Sequence, residues 1–139
     1  MKNPRLVIAS LSLLLFFSHC TPDQTLISST EEILTRSSWT VDYYFETQDM
    51  TSQYENYRLL FSNTGTVTVQ IGNEINSGTW NKTIDTDNNE MITLDFNTAD
   101  INLSKLNQEW KLINRTSSTI EFEDASQLIT TILFRIKKQ

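Results

Sequence analysis

Two residue types with frequent chemical roles occur once each in this chain, side by side: His19 and Cys20, in the stretch LLLFFSHCTPDQ. A lone cysteine can serve as a reactive thiolate, a metal ligand or a point of covalent attachment. The other groups with a chemical pattern are acidic. Asp85, Asp87 and Asn89 carry the D-x-D-x-N spacing that opens a calcium loop. Glu90 stands where that loop turns on glycine, and Phe96 stands at its bidentate twelfth position. The spacing is therefore read as a solvated hairpin turn. Glu121 and Glu123 share the outer face of a strand, where solvent screens them, whereas glycosidase chemistry needs two carboxyls facing one cleft. Asp124 falls in phase with Ile120 and Phe122, and is expected to end the strand and satisfy the turn at Ala125-Ser126. None of these makes a catalytic constellation, so the chain is not expected to be an enzyme, and no metal or cofactor is expected.

The setting of Cys20 decides its chemistry. Lys2 and Arg5 precede an apolar run from Leu6 to Phe17, broken only by Ser10 and Ser12. A helix crossing hydrocarbon needs about 20 such residues. This run is shorter and matches the apolar region of a secretory leader behind a basic start. A buried core helix is the alternative, but no polar face accompanies the run. No A-x-A site follows; the run closes on Phe17-Ser18-His19-Cys20. That closure resembles the lipobox of bacterial lipoproteins, in which a peptidase cuts just before a cysteine that carries lipid. Ser18 and the apolar run fit, while Phe17 and His19 stand in place of leucine and a small residue, as in looser lipoboxes of Bacteroidetes. An exported protein with a single thiol also needs a use for it, since an exposed one oxidises or pairs between chains. Acyl chains contribute about 0.8 kcal/mol per buried CH₂, and about two chains give stable attachment. The resemblance implies a signal peptide over 1–19, lipid on Cys20, a tether over 20–32, and a membrane as partner.

Without that leader the chain keeps nine basic residues against 17 acidic ones, a formal charge of −8, and has no histidine. Histidine-dependent catalysis is thereby excluded, and an acylated Cys20 cannot act as a nucleophile. The acidic balance argues against nucleic acid, whose binding rests on neutralising phosphates. The remaining length suits one domain over 33–139, expected to be a monomer.

The elements follow from alternation. Ser29 and Glu32 form an S-x-x-E capping box that opens a short helix, which Ile33 and Leu34 would dock. WTVDYYFE then puts Trp39, Val41, Tyr43 and Phe45 on an inner face, with Thr40, Asp42, Tyr44 and Glu46 outward. Residues 57–62 face Tyr57, Leu59 and Phe61 inward, and Asn63-Thr64-Gly65 turns into Val67, Val69 and Ile71. Gly78-Thr79-Trp80 lies in a fourth strand, and MITLDF in a fifth with Ile92, Leu94 and Phe96 inward. Residues 110–115, 119–124 and 127–137 give three more, the last with Leu128, Thr130, Ile132, Phe134 and Ile136 inward. TADINLSKLNQEW breaks the rhythm: Leu103, Leu106 and Trp110 at three- and four-residue spacing read as a short helix over 99–107. Eight short antiparallel strands that bury one face can close into a barrel without exposed edges. The fold class is all-β: an eight-stranded antiparallel barrel with a short N-terminal helix and a short helix before strand 6. An open sandwich is the alternative.

The stretches SSWTVDYYFE, YRLLFSNTGTVTV, SGTWNK, MITLDF, LNQEWKLI, TIEFED and LFRIK resemble the lipocalin-like lipoproteins of Flavobacteria and other Bacteroidetes over residues 34–137, through the spacing of Trp39, Gly65, Trp80 and Trp110. The resemblance implies a small barrel tethered by lipid in the cell envelope. It points to the outer membrane, on the periplasmic side, because the acidic run linked to surface export is reduced here to Asp23. The G-x-W of true lipocalins is Ser37-Ser38-Trp39. Their late basic side chain over that tryptophan has a positional counterpart in Arg135, which falls on the polar phase and is read as solvated.

Trp39, Tyr43, Phe45, Tyr57, Phe61, Trp80, Phe96, Trp110, Phe122 and Phe134 are thus expected inside. An eight-stranded barrel is just wide enough to be packed solid or to hold one small ligand. If it holds a small apolar or amphipathic molecule, Trp39, Tyr43, Tyr57, Trp80 and Trp110 are the binding residues, with a mouth framed by 46–56 and 99–107. If it is filled, the chain acts through its outer surface on a protein or cell-wall partner, with Tyr44 and Leu60 outward. Thr79, Asn114 and Thr130 are read as inward, which weakens the case for a dry core.

Overall fold

The computed structural model describes residues 28–126 and 131–139. The leader, Cys20, most of the tether, Leu128 and Thr130 lie outside the described residues. Helix α1 (Thr30–Thr35) precedes strands β1 (Ser38–Phe45), β2 (Tyr57–Phe61), β3 (Thr66–Ile71), β4 (Glu74–Ile84), β5 (Glu90–Phe96), β6 (Glu109–Arg115), β7 (Thr119–Asp124) and β8 (Leu133–Lys138). A 3₁₀ turn at Thr51–Tyr54 joins β1 to β2, and helix α2 (Ile101–Ser104) joins β5 to β6. Each strand pairs antiparallel with its neighbours in sequence, and β8 returns to β1, so the ring is a closed eight-stranded barrel. Among the described residues the ladder and the core lie between Leu34 and Lys138, all within a chain that starts at Thr21.

The capping box forms as expected: the Ser29 hydroxyl accepts from the Glu32 amide at 3.2 Å, and the Glu32 carboxylate accepts from the Ser29 amide at 3.2 Å. The helix lies across the expected boundary between tether and barrel, because Thr30 is buried along with Leu34. Helix α2 is shorter than the expected 99–107. Asp100 caps it by accepting from the Leu103 amide at 2.7 Å, and Leu103, Leu106 and Trp110 are all buried at the expected spacing. In β4, a Cβ on Gly78 would come within 2.6 Å of the Phe96 ring and 2.3 Å of the Asp95 carbonyl. Glycine is what lets Phe96 fold inward across its own partner strand.

Three expectations about phase are corrected. In β1 the pairing with β8 slips between Val41 and Tyr43, so Asp42 is an extra residue against Ile136 and Arg135. A bulge moves everything after it to the opposite face. Tyr44, expected outward, is fully buried, while Tyr43 and Phe45, expected inward, are half-exposed on the outside. A second slip in β6 between Leu112 and Asn114 turns Ile113 and Asn114 out, so Asn114 is not interior. Thr79 is exposed because Trp80 takes the inward phase, and adjacent strand residues cannot share a face. The last strand is described from Leu133, with Phe134 and Ile136 inward as expected; 127–130, the start of the expected strand, lie outside the described residues.

Candidate functional site

The barrel interior is where a carried ligand would sit, and the bonds of its polar groups show what occupies it. Trp39, at the start of β1, is fully buried and donates its indole N–H to the Leu34 carbonyl at 2.9 Å, which ties the barrel floor to α1. Trp80 in β4 donates to the Ser62 carbonyl at 2.8 Å and meets Phe61 edge-on at 5.5 Å. Trp110 in β6 donates to the Leu106 carbonyl at 3.0 Å and packs on Phe134 at 5.0 Å. Phe134 in turn stacks on Phe122 at 5.6 Å. All three indole donors are satisfied by the protein's own backbone, so none is left pointing at an empty interior.

The end framed by 46–56 and 99–107 is not an open mouth. The 3₁₀ turn drives Tyr54 into it, where the ring is fully buried between Tyr44 at 4.7 Å and Tyr57 at 5.1 Å. The Tyr54 hydroxyl donates to the Asn102 carbonyl at 3.0 Å, and the Tyr57 hydroxyl donates to the Asp100 carboxylate at 2.9 Å. Lys105 of the segment after α2 closes the same seam on Glu46 at 2.5 Å. Burial pushes the Tyr44 hydroxyl up to about 12, with the Glu46 carboxylate adding to it. Burial, with Asp100 beside it, pushes Tyr57 up to about 12. Burial also raises Tyr54, with Tyr44 contributing. Tyr54 and Tyr57 therefore act as neutral donors inside a packed stopper. Among the expected site residues, Trp39, Tyr57, Trp80 and Trp110 are inside and Tyr43 is outside. Tyr54 was not legible as a site residue: it is a single aromatic in the polar loop TSQYEN, with no alternation to mark it.

Tyr43 instead joins an outer patch. The Arg135 guanidinium stands 5.6 Å from its ring centroid, held by Asp42 at 2.7 Å and Glu121 at 3.3 Å. Those hydrogen bonds, led by Asp42, raise the guanidinium's affinity for its proton. Arg135 thus pairs on the outer wall and does not lie over Trp39.

The acidic motifs are accounted for by local bonds. Asp85 accepts from the Asp87 amide at 2.9 Å, the Asn89 amide at 2.8 Å and the Asn89 side chain at 2.8 Å, bonds that hold its carboxyl below the usual range. Glu123 pairs with Lys111 at 3.1 Å and Glu121 with Arg135, both on the outer face. Asp124 accepts from the Ser126 amide at 2.9 Å and its hydroxyl at 2.5 Å, ending the strand as expected. Among the described residues, no group of three or more His, Cys, Asp or Glu could hold a metal.

No protein-family model matches the chain, and no curated protein matches it. Among solved structures it is similar to a DUF4847 family protein from Bacteroides vulgatus ATCC 8482, with a TM-score of 0.56 and 15% identity, over 80% of this chain and 99% of that one. That likeness is one of fold.

Proposed function

We propose that this chain is an envelope lipoprotein, cut ahead of Cys20 and held through acyl chains on that residue at the periplasmic side of the outer membrane. Its barrel is a filled module that works through its outer surface on a protein or cell-wall partner, without catalysis. The observation that carries this reading is the interior: Trp39, Trp110, Phe134 and the Tyr44–Tyr54–Tyr57 stack occupy the space a carried ligand would need. Attachment is supported by the apolar run that ends on Phe17-Ser18-His19-Cys20. The outer surface offers Tyr43, Phe45, Leu133 and Ile113 around Arg135 as a contact area. Metabolic labelling with a palmitate analogue tests the attachment. The wild-type chain is expected to take the label and to sediment with membranes, and Cys20→Ala to do neither; equal labelling of the two would overturn the anchor.

A further inference from the structure

The end of the barrel nearest the tether carries a second feature. A depression of about 410 Å³ opens between α1 and the β6–β7 turn. Arg36, Arg115 and Lys138 line it together with Ser28, Ile33, Ser37, Thr116 and Ser117, and no carboxylate is among the described residues that line it. Three of the nine basic residues after Cys20 therefore converge on one concave surface of a strongly acidic chain. Two of the side chains have partners, and the third residue is fixed through its backbone. Arg115 donates to the Ser28 carbonyl at 2.8 Å, Arg36 leans on Glu32 at 3.0 Å, and the Lys138 amide donates to the Ser118 carbonyl at 2.8 Å. Glu32 also accepts from the Ser29 amide, so its carboxylate is engaged within α1. Glu90 stands on the other side of α1, where it accepts from the Thr30 hydroxyl and pairs with Lys82 at 3.8 Å, outside the depression.

We propose that this depression binds a phosphate-class anion, and that its source is the headgroup of an anionic phospholipid in the membrane that holds the chain. Guanidinium forks and an ammonium among hydroxyls match phosphate oxygens, and the apolar side of Ile33 suits the glycerol of a lipid better than a bare ion. The choice of source rests on the lipid-anchor reading. Ser28 stands eight residues after Cys20, so even a fully extended tether keeps the depression within about 30 Å of an anchoring surface. The depression would then face the bilayer.

The chain from Thr21, which carries no lipid, separates the site from the anchor. It would be floated with vesicles of phosphatidylcholine alone or with added phosphatidylglycerol, and titrated with inorganic phosphate while amide shifts are followed. Each cation facing an anionic surface contributes roughly fivefold in binding, so R36Q/R115Q/K138Q is expected to lose roughly a hundredfold on phosphatidylglycerol vesicles. R58Q/K105Q/K111Q, with the same change in charge, is expected to lose far less. R36Q/K138Q, which keeps the Arg115–Ser28 link, gives the same test with less risk to folding. Shifts at Ser28, Ser37 and Thr116 with phosphate but no vesicle retention would place the site's ligand among free phosphate esters and overturn the lipid source. Equal vesicle binding by the two triple variants, or no response to either probe, would overturn the site. A failed palmitate label would leave all of these outcomes readable.

Discussion

At the tether end, the barrel is shut by α1, whose Leu34 side chain is buried and whose Leu34 carbonyl anchors the Trp39 indole five residues later. At the other end it is shut by Tyr54, whose hydroxyl reaches Asn102, 48 residues on, and by Lys105 on Glu46 across a gap of 59. The first closure combines the short-range Leu34–Trp39 bond with Arg115 on Ser28, 87 residues apart, and is continuous with the aromatic core. The second is made by two polar loops, 46–56 and 99–107, that meet through side-chain bonds. The α1 end is built into the core through Leu34 and Trp39, and the tyrosine end is a stopper set between loops.

This contrast orders the effects of substitution. Trp39→Ala removes a fully buried indole from the floor, and should cost about 3–5 kcal/mol in chemical denaturation. Tyr54→Ala should cost about 2–4 kcal/mol and leave the α1 end intact, seen as slow hydrogen exchange persisting in β1 and β2. A cost below about 1 kcal/mol for Tyr54→Ala would mean that its ring is not inserted. The bulge at Asp42 is tested by a neighbouring pair: Tyr44→Ala should cost about 3 kcal/mol and Tyr43→Ala less than about 1. A reversed order would restore simple alternation in β1. Asp100→Ala removes the α2 cap and the acceptor for Tyr57, and should cost about 1–2 kcal/mol.

The tyrosine end should also show itself in alkali. Tyr44 and Tyr57 hold their protons to about 12, against about 10 in the unfolded chain. The folded state keeps protons that the unfolded state releases, so the stability they contribute is whole below about pH 10 and is lost as pH rises toward 12. Tyr57→Phe should flatten that decline in a denaturant series across this range. A decline of the same slope in the variant would remove Tyr57 from the account.

Much of the fold was legible because alternation and capping are local. Ser29 with Glu32, the Leu103–Leu106–Trp110 spacing and the turn at Asp124-Ser126 all read correctly for that reason. The bulges were not legible. Tyr43 and Tyr44 are both aromatic, so YYF satisfies either phase, and only the register of β8 against β1 selects one. The stopper and the cationic depression were hidden for a related reason. Tyr54 meets Asn102, and Arg36 meets Arg115 and Lys138, only after barrel closure brings distant segments together.

The central claim is that the barrel is filled, and uptake of an apolar probe tests it most directly. The chain from Thr21, purified under denaturing conditions and refolded, would be offered a fatty acid and read by native mass spectrometry. The wild type is expected to appear as bare protein, and a one-to-one complex to form only after Tyr54→Ala makes room. A stoichiometric complex with the wild-type chain, displaced by blocking the tyrosine end, would contradict it.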